Sequence, residues 1–349
     1  MRDKLSVIVN GAIYENFRQV EIKKSIENLS SSYSFKITQP DIFNFIPGNT
    51  IKILIANQPI ITGYLESVSI DGSDTSFDIL INGRDKTADL IDSSAVFTSS
   101  EFTNLSYLQF AQKLTTNFKI NIISKTEKAN TKFSKITLQQ GTVFEELERE
   151  ARRIGVFLYS DINGDLVIDE IGNSINQTRL VCPGNILKFN SDVDISSRFS
   201  EYTIKGQQTS ANDDSLTADQ QVSVRAKCQD QNIERYRPFV LIASGAINTA
   251  QAKARIEWEA AVRAARSQTL SIQLDGWTDS GANLWQVNQL IAVDIAPIRF
   301  RKYMLIKSIS FTYDDITGQT TDLELVHPDS YLPEPVIKKQ DLEDSILLK

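Results

Sequence analysis

The side chains that do most protein chemistry are scarce here: one histidine, His327, and two cysteines, Cys182 and Cys228, in 349 residues. The cysteines stand 46 positions apart, with no CxxC spacing. Neither a zinc site nor a disulfide framework is expected from them, and two reduced thiols of a cytosolic chain is the plain reading. His327 lies just after a strand-like run and beside Pro328. A general base needs a nucleophile to serve, and no GxSxG elbow exists. No GxGxxG or GxxxxGK[ST] loop is present to cradle a phosphate. Asp161-Ile162-Asn163-Gly164-Asp165 hints at a calcium loop. Such a loop needs Gly at its sixth position and Glu at its twelfth, whereas here Gly164 is fourth and Gly172 is twelfth. Asn163-Gly164 reads instead as a hairpin turn. The run Glu145, Glu146, Glu148, Arg149, Glu150, Arg152 and Arg153 offers carboxylates for acid–base work. Helical spacing pairs Glu148 with Arg152 and Glu150 with Arg153 and puts most of the run on a solvated face. No catalytic residue, metal or cofactor is therefore expected.

Three stretches are unusual for a bland surface: Gly83-Arg84-Asp85-Lys86-Thr87, Arg235-Tyr236-Arg237-Pro238 and Asp275-Gly276-Trp277. Arginine and aromatic residues form interfaces when they are not core. Arg84, Asp85, Arg235, Tyr236 and Arg237 are the interface candidates, with buried ion pairs and a core tryptophan as the competing reading. The charge balance, 37 Lys and Arg against 44 Asp and Glu, is −7 and opposes stable nucleic-acid binding. Composition is that of a folded protein, 41% apolar and 23% charged, and the length suits two to three domains. Met1-Arg2-Asp3-Lys4 leads into no signal-type apolar segment, and the longest apolar candidate, Phe239 to Ile247, is too short to span a bilayer. A chain made in a cytoplasm, without membrane insertion, is expected.

The elements that must position these residues are mostly strands. Before residue 91 the pattern is all-β: Val7 and Val9 alternate with polar neighbours, Ile51, Ile53 and Ile55 form a strand, and Leu65 to Ile70 and Phe77 to Ile81 flank Asp71-Gly72-Ser73-Asp74. From 92 to 172 the order β-α-β-α-β-β predicts a compact α+β domain. Ser106 with Gln109 and Thr142 with Glu145 make capping boxes. Tyr107, Ala111, Leu114 and Phe118 give one helix its apolar face, and Phe144, Leu147, Ala151 and Ile154 give the other, ended by Gly155. Ser124 to Lys135 reads as a polar, basic loop. Strands return after 173, with a polar loop at Gln207 to Gln221 and a helix capped by Asn248 with Gln251 and reaching about Arg266, whose inner face reads as Ala250, Ala254, Trp258, Ala261 and Ala265. The tail from 334 to 349 is polar, with a short apolar end at Ile346-Leu347-Leu348.

The two β regions echo each other. Ile51, Ile53 and Ile55 match Ile291, Val293 and Ile295 at an offset of 240. Leu65, Ser67, Val68, Ser69 and Ile70 match Ile306, Ser308, Ile309, Ser310 and Phe311 at 241, and Ile79 and Ile81 match Leu323 and Leu325 at 244. Slowly growing offsets are what a duplicated β domain leaves behind. The fold expected is α+β, mostly β: a first tube-like β-barrel (1–91), an inserted α+β domain (92–172), a second barrel with helix and loop insertions (173–333) and a tail (334–349).

Gly83 to Asp92, Arg198-Phe199-Ser200-Glu201-Tyr202-Thr203-Ile204-Lys205-Gly206, Arg235 to Pro238 and Asp275-Gly276-Trp277 resemble the baseplate hub family of Mu-like phages and prophages, over nearly the whole chain from about residue 5 to 333. The likeness extends more distantly to hubs of other contractile tails and to the N-terminal part of VgrG spike proteins. The resemblance implies a homotrimeric ring whose paired barrels give pseudo-six-fold symmetry. It implies a place between the hexameric tail tube (or distal tail protein) and the trimeric central spike, with baseplate wedge proteins as further partners and DNA only in transit. The implied location is the virion tail baseplate, after synthesis in the host cytoplasm. The family offers no catalytic motif to carry over. A baseplate-associated cell-wall hydrolase and a sugar-binding module remain the alternatives from other classes.

Overall fold

The computed structural model describes residues 3–37, 45–74, 77–208 and 222–335. Most of the Gln207–Gln221 loop and the tail beyond 335 lie outside the described residues. The chain forms two compact units, Met1–Ser191 with Leu270–Val326, and Asp192–Thr269 with His327–Lys349.

The first seven strands are β1 (Leu5–Val9), β2 (Ala12–Tyr14), β3 (Gln19–Ser25), β4 (Ser32–Ile37), β5 (Thr50–Ile55), β6 (Gln58–Gly72) and β7 (Phe77–Asp85), followed by a short helix α1 (Ala88–Asp92). The middle contains β8 (Glu101–Ser106), α2 (Tyr107–Thr115), β9 (Ile122–Ser124), β10 (Lys132–Thr137), α3 (Val143–Ile154), β11 (Phe157–Ser160) and β12 (Leu166–Asp169). Then come β13 (Ser174–Cys182) and β14 (Ile186–Val193). The second unit holds β15 (Glu201–Gln208), β16 (Val222–Gln229), β17 (Pro238–Ile242) and α4 (Thr249–Arg266). The chain returns to the first unit with β18 (Gln268–Asp275), β19 (Gln289–Ile295), β20 (Phe300–Asp314) and β21 (Gly318–Val326).

The two β regions, expected as separate barrels, share one hydrogen-bonded sheet. Its order is β14-β18-β21-β20-β3-β4-β7-β6-β5-β1-β2, with β19 also paired to β20 and β13 to β19. Strand alternation sorts its residues into two faces. One face carries cross-strand rows such as Thr321–Phe311–Ile22–Tyr33–Gly83–Leu65 and Tyr313–Val20–Phe35–Ile81–Val68. The other carries Thr320–Thr312–Glu21–Ser34–Asn82–Ser67 and Asp322–Ser310–Lys23–Ser32–Arg84. Ile22, Phe35, Ile81 and Phe311 are fully buried, so the first face is core.

The echo in the sequence is an echo in register. Thr50 to Ile53 lie opposite Tyr64 to Ile61 just as Leu290 to Val293 lie opposite Leu305 to Lys302. β6 is bulged between Leu65 and Ser67, and β20 between Ile306 and Ser308. The extra residues, Glu66 and Lys307, therefore sit at the same place, and a bulge is a designed feature of a strand. In the third strand Ile81 faces Val68 and Leu323 faces Ile309, so Ile81 corresponds to Leu323. The sequence match alone pairs Ile81 with Leu325. A strand repeats its faces every two residues, so that slip of two leaves the apolar pattern intact. The copies also differ: β1 runs antiparallel to β5, whereas β13 runs parallel to β19.

Both capping boxes of the middle region form, Ser106 with Gln109 and Thr142 with Glu145, and Gly155 ends α3 in the left-handed conformation. Tyr107, Phe110, Leu114 and Leu147 join Phe133, Leu138 and Leu166 in one core. The segment expected as a loop, Ser124 to Lys135, contains a 3-10 turn at Glu127–Asn130 and the start of β10. Ala129 and Phe133 anchor it in that core, two apolar residues too widely spaced to read as an element. The Glu148–Arg152 and Glu150–Arg153 pairs form as expected. Glu146 and Glu150, however, are buried. Glu146 accepts the backbone N–H groups of Gln139 (2.7 Å) and Gly141 (3.2 Å), satisfying a loop that would otherwise be left without acceptors.

In the second unit β15 pairs with β16 and β17, and α4 packs on that small sheet. The buried residues of α4 are Ala252, Ile256, Ala260, Val262 and Ala265, not the expected Ala250-Ala254-Trp258-Ala261-Ala265 face, from which only Ala265 is buried. Alanines lie on every side of this helix, and Ile256, its one isoleucine, marks the inner face. Trp258 is half-buried and donates to the Leu332 carbonyl at 2.8 Å.

Candidate functional site

At the end of β7, Gly83 is required by packing. A Cβ there would lie 2.2 Å from both the Tyr33 hydroxyl and the Tyr64 carbonyl oxygen. The Tyr33 hydroxyl donates to that carbonyl across the glycine at 2.9 Å, and burial holds the phenol far above its ordinary pKa. Arg84 reaches over the polar face to Glu66 (2.6 Å) and Asp92 (2.5 Å). Hydrogen bonds donated to Glu66 and Asp92 raise its pKa, and the same guanidinium lowers that of Asp92. Asp85 points the other way and is completely buried. Its carboxylate accepts from the Ser31 N–H (2.7 Å), the Thr87 N–H (3.0 Å) and the Ser30 and Thr87 hydroxyls. Lys86 pairs with Asp165 at 3.2 Å and so ties β7 to the hairpin of the α+β region. The block is thus a joint: Arg84 lies at the surface, while Asp85 has no exposed atom to offer a partner.

Arg235 and Tyr236 are exposed, Tyr236 by 82%. Arg237 is half-buried: it stacks on Phe199, donates to the Ser196 carbonyl and pairs its backbone with Ser200. Arg198 forks onto Asp230 at 2.7–3.0 Å. Beside Tyr236, β17 exposes Val240 (53%) and Ile242 (77%) on one face. Lys205 and Arg225, cross-strand from Ile242, are exposed on the same face. Trp277 is core, its indole N–H donating to the Thr312 and Thr320 carbonyls.

A cavity of about 560 Å³ in the first unit is lined by Lys24, Lys125, Tyr159, Asp161, Asp169 and Trp285, among others. Its two carboxylates are committed. Asp169 accepts from Tyr159, Asn173, Asn288 and the Glu170 N–H, and Asp161 accepts from Asn163 and the Asp165 N–H. Burial lowers the pKa of Lys24, whose amine donates to the Ile60 carbonyl at 3.3 Å. His327 sits elsewhere, capping a 3-10 turn by accepting the Asp329 N–H.

What sequence reasoning missed are two strand edges. The far half of β6, Glu66–Gly72, has β7 on one side and, among the described residues, no strand on the other. β14 ends the sheet. Ile70 on β6, and Leu187 and Val193 on β14, are 61%, 59% and 63% exposed. The sequence carries no signal for this: Ile70 and its counterpart Phe311 are both apolar, yet Ile70 is exposed where Phe311 is fully buried.

Three family models match the chain. They are described as Mu phage baseplate assembly protein GpP-like, N-terminal (residues 4–85), Baseplate hub protein gp44-like, second domain (87–170), and Mu phage baseplate assembly protein GpP, fourth domain (248–334). The baseplate hub protein gp44 of Escherichia phage Mu is 29% identical over 342 residues, covering 95% of this chain and 90% of that one. The crystal structure of the prophage MuSo2 43 kDa tail protein from Shewanella oneidensis matches with a TM-score of 0.82 and 27% identity, over 94% of this chain and 99% of that one. A tail protein from Neisseria meningitidis MC58 has a TM-score of 0.77 at 22% identity, over 96% and 99%. The E. coli type VI secretion component c3393 has a TM-score of 0.55 at 10% identity, over 95% and 79%, and shares the fold alone. With three models matched along 4–85, 87–170 and 248–334 and a hub relative aligned nearly end to end, the chain is similar over most of its length to the baseplate hub proteins of Mu-like phage tails.

Proposed function

We propose that this baseplate hub works by symmetry and shape. Three copies form a ring whose six similar β modules continue the hexameric tail tube, while the three-fold axis accepts the trimeric spike. The observation that carries this reading is the register-matched duplication, including the shared bulge at Glu66 and Lys307. A chain that contains the same module twice presents a six-fold partner with equivalent surfaces from three copies. On this reading each module is a segment of tube-like barrel, with boundaries near residues 91, 172 and 333. The polar sheet face lines the lumen. Along β3, β4, β7, β21 and the far halves of β6 and β20, its carboxylates Glu21, Asp71, Asp78, Asp314, Asp322 and Glu324 outnumber Lys23, Lys36 and Arg84, so DNA in transit meets an excess of like charge there.

Arg235 and Tyr236, with Val240 and Ile242 beside them, are the contact surface for spike or wedge proteins. Arg84, Asp85 and Arg237 serve by holding the frame that presents it. The hub needs no cofactor and no catalytic group; it is made in the host cytoplasm and works in the virion baseplate. Native mass measurement of the full chain, alone and with its tube and spike partners, is expected to give three copies. A chain that stays monomeric with both partners present refutes the proposal.

A further inference from the structure

We infer that neighbouring copies join by antiparallel pairing of β14 of one chain with the far half of β6, Ser67–Gly72, of the next. The proposal rests on the ring reading above and assigns its seam. The template lies inside the chain. β20 is long enough to hold two partners on one edge: β19 along Phe300–Leu305, and β3 along Ser308–Asp314. β6 holds β5 along Gln58–Tyr64 in the same way. The rest of that edge is bare among the described residues. The buried state of β20 shows what belongs there. Ile309 and Phe311 are 1% and 0% exposed beneath β3, whereas Ile70, the counterpart of Phe311, is 61% exposed.

The duplication identifies the missing partner. β3 lies beyond β4, which lies beside β7; β14 lies beyond β18, which lies beside β21. β14 is therefore to β6 what β3 is to β20. Among the described residues it is the terminal strand of the sheet, and alternation sets Leu187, Phe189 and Val193 on one face, two of them more than half exposed. An exposed apolar edge strand is a template for another chain unless something covers it. Within one chain, β18, β21, β20, β3, β4 and β7 all intervene between β14 and β6, so the occupant is a second copy. The two edges differ, so the contact is heterologous: it propagates head to tail into a ring and does not stop at a two-fold dimer.

Cysteine pairs test the seam in a Cys182→Ser, Cys228→Ser background of the full chain. Ser69→Cys on the polar face of β6 is combined in turn with Lys188→Cys, Asn190→Cys and Asp192→Cys on β14. Mild oxidation is expected to give a covalent ladder ending at the ring. Mixing the single variants is expected to give heterodimers only. Ile70→Asp and Leu187→Asp are expected to yield monomers that keep the wild-type near-UV circular dichroism spectrum, because both side chains are exposed in the single chain. Wild-type rings with no disulfide for any pair, and rings that survive both Asp variants, overturn the seam and leave the ring reading standing. A wild-type chain that forms no ring overturns both.

Discussion

Removing the Asp85 carboxylate should cost the first unit far more than removing its neighbour Arg84, although both lie in the same five-residue block. Asp85 has no exposed surface, and two buried backbone N–H groups, Ser31 at 2.7 Å and Thr87 at 3.0 Å, depend on it. Hydrogen bonds to a charged acceptor contribute about 1.5–3 kcal/mol each, and a buried donor left without a partner costs about 1–3 kcal/mol. These figures overlap and are not additive, so about 4 kcal/mol is the expected loss for Asp85→Ala. At about 2–4 °C per kcal/mol for a unit of this size, Tm falls by about 8–16 °C. Asp85→Asn should fall between, because its carbonyl oxygen still accepts while its amide group faces donors. Arg84 is 31% exposed and pairs with Glu66 and Asp92, themselves 39% and 56% exposed, so Arg84→Ala should lose about 0.5–1 kcal/mol. Calorimetry with a near-UV circular dichroism melt reads both variants. If Asp85→Ala melts within 2 °C of Arg84→Ala, the buried carboxylate is not what joins β4, β7 and α1, and the reasoning fails.

Two further outcomes follow from single side chains. Burial alone would raise the pKa of Glu146, but Arg149 and the N–H groups of Gln139 and Gly141 outweigh it and hold the carboxyl below its ordinary range. Its contribution is then present above the unfolded-state value of about 4.3 and is lost as pH falls through the lower folded value. The Tm gap between wild type and Glu146→Gln should be widest near neutral pH and close below about pH 4; a gap constant across that range contradicts the assignment. Gly83→Ala should lower stability by about 2–4 kcal/mol, since its Cβ meets a backbone oxygen that cannot yield, whereas Gly11→Ala, with open space around it, should lose only about 1 kcal/mol from its positive φ. Equal chemical-denaturation midpoints for the two variants would count against the close approach.

Legibility in the sequence followed how local each signal was. Both capping boxes, the Gly155 stop and the Asn163-Gly164 hairpin were readable because each depends on residues within one turn of the chain. The face of α4 was not, because its alanines pack equally well on any side and the sheet it meets is assembled from β15, β16 and β17. The burial of Glu146 was hidden because its backbone donors lie in the preceding loop. Asp85 read as an interface candidate for the same reason: its acceptors' partners, Ser30 and Ser31, are more than fifty positions away. The repeat was visible, but a two-residue period cannot distinguish a register from one shifted by two, and the bulge pairing was needed to fix the third strand.

On the ring reading, one difference between the two copies lets a duplicated module serve a three-fold assembly. In the first copy β3 and β4 are joined by the short connection 26–31; in the second, β14 and β18 are joined through residues 194–267, which hold β15, β16, β17 and α4. The helix and small sheet are thus an insertion in one hairpin loop, where added chain costs little folding free energy and leaves the flanking register unchanged. On the ring reading, the strands keep the six modules alike where they meet the tube. The insertion, present in every second module, is what reduces six to three, and it carries Tyr236, Val240 and Ile242 on its exposed side. On the same reading, the edge that lacks β3's counterpart within the chain is the edge left open for the next copy. A six-fold module made entirely within one chain would leave no seam, and a chain with one module would offer the spike no three-fold distinction. On that reading, two modules, one of them interrupted, satisfy both a six-fold and a three-fold partner.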